Sequence, residues 1–227
     1  LAGQTILDVG TGSGRHSFHA DHAGAKVVAV DLGVSIDIAR RNLPPSVLTV
    51  QADAEHLPFE EESFDLVISI GVLHHLPDPE RALRSIVLYA RLGGHVHLYL
   101  YWVPERRWHR NVLALVTVAR KLTVRLPHAI LHLLCYPLAA GLQLAFVAPY
   151  RALRYRPRSR ALAQALPLKT YADYPYSVLV NDQFDRLSAP LERRYTAQEV
   201  HAALAGAGLH DIVVLPNHGW VADGRRR

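Results

Sequence analysis

The amino-acid sequence predicts an α/β protein with a largely parallel β-sheet, and three observations support this prediction. Short apolar runs alternate with helix-like segments over residues 1–103. Glycines or aspartates close several of these runs, as expected where strands end in βα units. The same rhythm returns in residues 191–227, whereas residues 104–190 lack it. We therefore expect a sheet domain formed by the two outer segments, with residues 104–190 as a helical insertion.

Composition allows one such domain with a large insertion. The chain has 227 residues and 50% of them are hydrophobic, so it can bury a substantial core. The single cysteine, Cys135, excludes an intramolecular disulfide and a cysteine-cluster metal site. We expect no metal, and this cysteine usage fits a reducing compartment such as the cytoplasm. Because the chain begins at Leu1 and contains no methionine, we also expect a segment upstream of it.

Five strands are expected in the first segment, each from an apolar run that ends in a turn signal. Their predicted ranges are residues 5–10, 26–33, 48–54, 64–71 and 95–101. Ser35 is placed to cap a helix that continues through Arg41. Pro79 suits the start of a second helix, predicted to run to Arg91 and to stop at the glycines of residues 93–94.

The final segment predicts one helix and two strands. Thr196 and Glu199 have the spacing of a capping box, in which each side chain bonds the other residue's backbone. An apolar stripe at helical spacing follows, formed by Val200, Ala203, Leu204 and Ala207. Residues 210–215 and 219–224 then read as strands.

The stretch "LDVGTGSG" at residues 7–14 predicts a ligand-binding turn. Gly10, Gly12 and Gly14 follow a strand and let a ligand approach bare backbone N–H groups at a helix N-terminus. A dinucleotide fingerprint would need a third glycine where Arg15 stands. This disfavours a nicotinamide-dependent oxidoreductase, although that alternative stays open. Asp31 and the later Asp53 close strands two and three at the same expected edge, where ligands bind in open α/β sheets.

The ordered motifs resemble the class I S-adenosylmethionine-dependent methyltransferases, in particular their small-molecule branch. The matching stretches are "LDVGTGSG", "VVAVDLG", "QADAEHLPFEEESFDLVISIGVLHHLPDPERAL", "RLGGHVHLYLYW" and "RYTAQEVHAALAGAGLHDIVVL". The resemblance implies a Rossmann-like, doubly wound, seven-stranded sheet that is mostly parallel with an antiparallel last strand. It also implies S-adenosyl-L-methionine as the cofactor and a small or lipid-like molecule as the methyl acceptor.

The resemblance also implies roles for individual residues. The methionine part of the cofactor would lie at Asp8 and the three glycines, Gly10, Gly12 and Gly14. Asp31 would hold the ribose hydroxyls, and Asp53 with the Ala54 backbone would address the adenine. Ile70 and Gly71, which end strand four, would line the cofactor between strands one and four.

No universal catalytic residue can be transferred, because methyl transfer from a sulfonium mainly requires proximity and orientation. His74 and His75 follow strand four and could position or deprotonate an acceptor, or could simply shape the loop. Further acceptor-side candidates lie before the last helix, namely Asp182, Asp185, Arg194 and Tyr195.

Nucleic acid is a disfavoured acceptor, because no N/D-P-P-Y type motif follows strand four and Cys135 is remote from the motifs. The non-enzymatic alternative is an interaction module that binds the cofactor but does not catalyse a reaction.

The insertion contains an unusual apolar segment. Residues 128–150 include no Asp, Glu, Lys or Arg over 23 residues, which is long enough to cross a bilayer. A single span would place the last helix and strands on the wrong side of the membrane, and prolines 137 and 149 are expected to interrupt a straight helix. The favoured interpretation is a set of lid helices over the substrate site. The alternative is helices resting on an anionic membrane surface, promoted by basic residues at 120–125 and 151–160.

Overall fold

The computed structural model describes residues 1–104 and 107–227, without the side chains of residues 108, 109 and 157. The chain divides into two compact units. The sheet unit comprises Leu1–Pro104 and Leu191–Arg227, and the helical unit comprises Glu105–Pro190.

The sheet unit contains one seven-stranded sheet in the order β3-β2-β1-β4-β5-β7-β6. The five strands β1 to β5 are parallel, and β7 is antiparallel to both of its neighbours. This confirms the predicted mostly parallel sheet with an antiparallel last strand. The strands are β1 Thr5–Val9, β2 Lys26–Asp31, β3 Leu48–Gln51, β4 Phe64–Ile70, β5 Ala90–Leu100, β6 Leu209–Pro216 and β7 Trp220–Arg226.

Helices cover both faces of the sheet, and the alternation of side chains along each strand decides which face each residue serves. On one face, Ile6 and Ile68 pack with helices α1 (Arg15–His22) and α2 (Ser35–Asn42). On the other, Leu7 and Val67 pack with α3 (Pro79–Val87) and with the last helix of the chain, Ala197–Gly206. The core therefore lies in two layers, one on either side of the central strands.

The predicted end of α3 is wrong. The helix stops at Val87, and β5 already begins at Ala90 instead of continuing as helix to Arg91. Ala90 pairs with Phe64 of β4, and the Tyr89 hydroxyl donates a hydrogen bond to the Leu57 carbonyl, so tertiary contacts take these residues out of the helix. The two glycines lie inside the strand, where the register with β4 shifts.

The two predicted helix caps have different outcomes. The capping box is confirmed: Glu199 N–H donates to the Thr196 hydroxyl at 3.3 Å, and the Thr196 N–H donates to the Glu199 carboxylate at 2.7 Å. The cap proposed at Ser35 is wrong. Ser35 is the first residue of α2, and its side chain accepts no hydrogen bond from the N–H groups at the helix end. Its hydroxyl instead donates to the Asp31 carboxylate at 2.6 Å.

The helical unit contains five α-helices among its described residues. They are α4 Arg107–Thr123, α5 His128–Leu142, α6 Ala148–Leu153, α7 Arg160–Ala165 and α8 Tyr176–Ser188. A small core of its own joins α5 to α8 through Leu131, Cys135 and Leu179. The last helix of the chain, Ala197–Gly206 in the sheet unit, is α9.

The expected interruption of the apolar segment by proline is also wrong. Pro137 lies inside α5, and Pro149 lies in the first turn of α6, and neither ends the helix. A π-helical turn, Gln143–Val147, joins α5 to α6. The result is one continuous helix, His128–Leu153, which is long and apolar enough to span a membrane by length and composition alone.

Candidate cofactor and acceptor site

The carboxyl ends of the four central strands bring the sequence-predicted cofactor residues to one edge of the sheet. Asp8 lies within β1, Asp31 ends β2, and Ile70 ends β4. The parallel pairing of β1 with both β2 and β4 places these strand ends side by side. In open α/β sheets this edge, beside the central strand, is where ligands bind.

The glycine loop after β1 is held tightly to β2. The Gly10 and Thr11 N–H groups both donate to the Val30 carbonyl, at 2.8 and 2.9 Å. Gly10 has φ +81°, and a Cβ there would lie 2.2 Å from the Val72 side chain. Glycine is therefore required at position 10 for the loop itself, both by conformation and by space.

Gly12 and Gly71 differ from Gly10 because the space beside them is empty. Both have positive φ, +58° and +79°, and a Cβ built on either would meet no atom within 4 Å. Gly12 belongs to the loop after β1, and Gly71 follows β4 directly. These two positions leave room for a ligand to approach the backbone at the ends of the two neighbouring strands.

Asp8 is buried below the loop and orders it. Its carboxylate is 1% exposed and accepts hydrogen bonds from the hydroxyls of Thr11, at 2.9 Å, and Ser17, at 2.6 Å. Burial raises the pKa of Asp8, and the two hydroxyl hydrogen bonds oppose that rise. Asp8 thus fixes the loop to the first turn of α1.

Asp31 joins the glycine loop to the start of α2. One carboxylate oxygen accepts from the Gly12 N–H at 2.9 Å. The other accepts from the Gly33 N–H at 3.0 Å and from the Ser35 hydroxyl at 2.6 Å. A carboxylate offers about four acceptor positions, so a half-buried Asp31 retains capacity for a ligand hydroxyl.

The remaining predicted cofactor residues lie along the same edge. Asp53 follows β3 and is exposed, with its carboxylate accepting the Glu55 N–H at 3.0 Å. Ala54 is buried in the core layer that contains Leu57 and Phe64. The Gly71 N–H is already used, since it donates to the Tyr99 carbonyl at 3.1 Å.

His74 is fully buried in a short 3₁₀ turn, Leu73–His75, after β4. Its ring packs on that of Tyr101 with 4.0 Å between ring centroids. Neither ring nitrogen has a hydrogen-bond partner among the described residues. Burial lowers the pKa of His74 to about 3, with smaller contributions from His75 and Arg194. His74 is therefore neutral at physiological pH and has no solvent access.

His75 is better placed for proton transfer than His74. It is half-buried, and its Nδ1 lies 2.7 Å from the Leu191 carbonyl oxygen. A carbonyl can only accept, so Nδ1 carries the hydrogen in this contact. The lone pair then resides on Nε2, which is the arrangement that a general base requires.

Two further side chains complete this edge. The segment before α9 runs beside the end of β5, because Tyr195 N–H donates to the Tyr101 carbonyl and Arg193 N–H to the His74 carbonyl. This brings the Arg194 guanidinium to 5.2 Å from the centroid of the Tyr101 ring. An ion pair with Glu192, at 2.7 Å, holds Arg194 in place.

Tyr101 is a residue that the sequence analysis did not single out. The sequence did contain an indication of its role, because Tyr99 and Tyr101 occupy alternate positions at the carboxyl end of a predicted strand.

Tyr195 and Asp182 have partners within their own units. The Tyr195 side chain packs against the core layer of α3 and α9, and burial raises its pKa. Asp182 accepts the Tyr171 hydroxyl within the helical unit. Cys135 is buried in that unit's core, where burial raises the pKa of its thiol, so it packs as an apolar side chain. No metal-binding group of three or more His, Cys, Asp or Glu occurs in the part of the chain that the structure describes.

The residues present fit S-adenosylmethionine. The space beside Gly12 and the space beside Gly71 are open, and the Gly12 N–H donates to the Asp31 carboxylate, which three hydrogen bonds orient. A nucleoside needs a carboxylate for its ribose hydroxyls and an open backbone beside it, and this edge offers both.

Comparison with known proteins finds methyltransferases. Residues 7–98 match the family model described as a methyltransferase domain. Over 101 residues, or 42% of the chain, the sequence is 35% identical to the ubiquinone biosynthesis O-methyltransferase of Stutzerimonas stutzeri, of which the match covers 44%. It is 38% identical over 101 residues to the phthiotriol/phenolphthiotriol dimycocerosates methyltransferase of Mycobacterium leprae, covering 42% of the chain and 37% of that protein.

The match to these relatives spans less than half of their length. A human protein named tRNA methyltransferase 9B is also 32% identical over 111 residues, covering 47% of the chain and 23% of that protein. The matched segment thus points to a methyltransferase domain and leaves the acceptor open.

The fold comparison covers nearly the whole chain. The structure of Haemonchus contortus phosphoethanolamine N-methyltransferase 2, in complex with phosphomonomethylethanolamine and S-adenosylhomocysteine, aligns over 94% of this chain and 35% of that one. The TM-score is 0.53 and the sequence identity is 18%, which shows the shared fold. Residues 7–98 therefore resemble a methyltransferase domain, and the chain shares its seven-stranded fold with a solved methyltransferase, in agreement with the sequence motifs.

Proposed function

We propose that the protein transfers a methyl group from S-adenosyl-L-methionine to a small or lipid-like molecule. The observation that supports this most strongly is the open space beside Gly12, whose N–H donates to the oriented Asp31 carboxylate. It lies within the segment that matches the methyltransferase domain. The nicotinamide alternative lacks both the third fingerprint glycine, replaced by Arg15, and support from the family match.

In this proposal, Asp31 binds the ribose hydroxyls, and Asp53 with the Ala54 backbone binds the adenine. The open space beside Gly12 and Gly71 receives the methionine part, Gly14 shapes the loop because its open side faces Leu43, and Ile70 contributes apolar lining. When bound, the cofactor supplies a methyl group on a sulfonium, a leaving group that needs no further activation. The chain's own task is to align the acceptor with that methyl group and to exclude water, since orientation dominates such a displacement.

His75 is the proposed proton acceptor where the acceptor atom bears a hydrogen. Its Nε2 lone pair takes the proton as the acceptor's bond to the methyl carbon forms, while the Leu191 carbonyl holds the ring in the required tautomer. His74 supports the same edge by packing on Tyr101, and Arg194 above that ring offers a positive charge to an anionic group of the acceptor. Tyr195 has no comparable placement, so we propose for it a packing role.

A lipid-like acceptor is the preferred class. The relatives named above act, by their names, in ubiquinone biosynthesis and on phthiotriol or phenolphthiotriol dimycocerosates. We also propose a cytoplasmic protein with a peripheral membrane contact, because such acceptors partition into membranes. A cofactor-binding module without catalysis is the second candidate, and it predicts cofactor binding without transfer.

Transfer of a labelled methyl group tests the proposal. The chain is incubated with S-adenosylmethionine labelled in the methyl group and with three separate fractions: a lipid extract, a polar metabolite extract and bulk tRNA. We expect label in the lipid or metabolite fraction, followed by mass identification of the product. Label only in the tRNA would overturn the acceptor class. Binding of the cofactor without label in any fraction would favour the non-catalytic module.

A further inference from the structure

The helical unit has a strong positive charge that the sheet unit does not share. Between residues 105 and 190 the sequence contains 13 Lys and Arg against four Asp and Glu, an excess of nine positive charges. The other residues contain 12 basic and 16 acidic side chains, an excess of four negative charges. Such an asymmetry indicates an anionic partner for the helical unit alone.

The long helix of this unit is apolar on its exposed side as well as on its buried side. Leu131 and Cys135 face the unit's core. On the opposite side, Leu133 is 68% exposed and Leu144 is 73% exposed, with Ile130 and Leu134 also exposed. The outer face of a surface helix is normally polar. Only 22% of the most apolar window of this helix is buried, so an apolar partner is needed to cover it.

Helix α4 adds a second exposed apolar stripe. Val112, Leu115, Ala119 and Leu122 recur at helical spacing and are exposed, with Leu115 at 71%. The packed side of the same helix is different: there Arg120 is buried and donates from Nε to the Arg186 carbonyl of α8 at 2.8 Å. The stripe is therefore separate from the side on which α4 packs.

A cationic cavity lies where the long helix ends. Its volume is about 630 Å³, and its lining residues are Tyr150, Arg154, Tyr155, Arg156, Arg160 and Gln164. The Arg154 guanidinium lies 4.7 Å from the centroid of the Tyr155 ring and 2.7 Å from the Asp173 carboxylate. Its Nε is buried without a hydrogen-bond partner among the described residues. Arginine and tyrosine donors of this kind suit a phosphate group.

We propose that the helical unit rests on an anionic membrane surface and that the cavity at the end of its long helix binds a lipid phosphate. The exposed faces of α4 and α5 enter the boundary between headgroups and acyl chains, while the arginines remain at headgroup level. An anionic membrane is the partner that matches both the exposed apolar faces and the positive charge. A soluble anion would leave the leucines exposed, and a second copy would bring two units with nine excess positive charges together.

This inference goes beyond methyl transfer and stands whether or not transfer is found. We measure membrane binding by flotation of the full chain with phosphatidylcholine vesicles, with and without a minority of phosphatidylglycerol. We expect flotation with the anionic vesicles that weakens as salt is raised, and little with the neutral ones. The chain remaining at the bottom of the gradient with both vesicle types would overturn the proposal.

Paired variants identify the surface. We expect Leu133→Ser with Leu144→Ser to lower the partition coefficient at least about tenfold, because two exposed apolar side chains leave the bilayer. Arg156→Gln with Arg160→Gln should lower it by about tenfold or more and reduce its salt dependence. The matched controls lie on the sheet unit, namely Leu92→Ser for the apolar pair and Lys26→Gln with Arg41→Gln for the basic pair. Thermal unfolding of each variant checks that it is folded.

The outcomes separate the alternatives. Equal loss in the controls and in the helical-unit variants would contradict a defined surface. A wild-type dimer in solution that Leu133→Ser dissociates, without vesicle binding, would assign the face to a second copy instead. Inorganic phosphate at millimolar concentration distinguishes the source of the anion. We expect it to leave flotation nearly unchanged, whereas full release of the chain by phosphate, but not by sodium chloride of equal ionic strength, would show that a phosphate site alone holds the chain and would contradict a contact shared with the apolar faces.

Discussion

At the scale of single residues, Asp31 contributes most to the proposed cofactor site. Its carboxylate receives hydrogen bonds from the backbone of the glycine loop and from the start of α2. It therefore fixes the loop and offers its remaining acceptor capacity to a ribose. Replacing Asp31 should therefore weaken cofactor binding both through the glycine loop and through the lost acceptor for the ribose.

Asp31→Asn tests this role, because it keeps the size of the side chain and removes its charge. We expect S-adenosylmethionine to bind about 10- to 100-fold more weakly, since hydrogen bonds to a charged acceptor are worth roughly 1.5–3 kcal/mol. Isothermal calorimetry measures the affinity. Asp37→Asn, an exposed carboxylate on α2 that pairs with Arg40, is the matched control and should bind like the wild type. Equal affinity in both variants would remove Asp31 from the site.

His75→Gln tests the proposed base. We expect the rate of label transfer to an acceptor that loses a proton to fall by about 100-fold, the lower range of general-base effects. Cofactor affinity should stay unchanged. His201→Gln, at an exposed histidine on α9, serves as control. An unchanged transfer rate in His75→Gln would show that the residue only shapes the loop.

His74 makes the stability of the folded chain depend on pH. Its pKa falls from the ordinary 6.5 to about 3 on burial, so below pH 6.5 the unfolded chain binds a proton that the folded chain does not. This contribution to stability is present above pH 6.5 and is lost as the pH falls towards 3. When the pH falls from 7.5 to 5, we expect the free energy of unfolding to decrease, with roughly 2 kcal/mol of that decrease due to His74.

Urea unfolding of His74→Phe at the two pH values measures that share. The variant should lose about 2 kcal/mol less than the wild type on acidification, whatever its absolute stability. His74→Leu provides a second apolar replacement if phenylalanine packs poorly against Tyr101. His201→Gln, exposed on α9, should retain the wild-type difference. The same acid sensitivity in all three variants would contradict a neutral buried His74.

At the scale of structural elements, the loop between β1 and α1 separates a folding requirement from a binding requirement. Gly10 touches Val72, whereas Gly12 borders empty space. Both have positive φ, so substitution strains both, by about 1 kcal/mol or more. The two glycines should nevertheless respond differently.

Alanine substitutions measure the difference. We expect Gly10→Ala to destabilise the fold by several kcal/mol in total, because its Cβ would overlap the Val72 side chain. Gly12→Ala should fold with a loss of about 1 kcal/mol but bind S-adenosylmethionine at least about tenfold more weakly, since its methyl group enters the ligand space. Denaturant unfolding and calorimetry on both variants test this. Gly12→Ala with wild-type affinity would mean that the cofactor lies elsewhere.

The elements that could be predicted from sequence are those with local signals. β1, β2 and β4 are bounded by glycine or aspartate, and the T-x-x-E box defines the start of α9. The end of α3 was missed because residues 88–91 continue its apolar rhythm, and only pairing of Ala90 with Phe64 makes them a strand. The cluster of His74, Tyr101 and Arg194 arises from three segments far apart in sequence, so no local pattern could reveal it.

At the scale of the whole molecule, two units with opposite charge divide the proposed tasks. The sheet unit contains the methyltransferase-domain match and the edge with Asp31, Gly12 and His75. The helical unit contributes an apolar and basic surface in the chain segment between β5 and α9. The acceptor in this account is a lipid-like molecule that the second unit's membrane contact makes available.

The most direct test of the central claim is calorimetric titration of the chain with S-adenosylmethionine and, separately, with NAD. We predict saturable one-to-one binding of S-adenosylmethionine, accompanied by a rise in the unfolding temperature. At 100 times the dissociation constant the stabilisation should approach about 2.7 kcal/mol. NAD should produce neither effect. Binding of NAD but not of S-adenosylmethionine would contradict the assignment of this strand edge to a methyl donor.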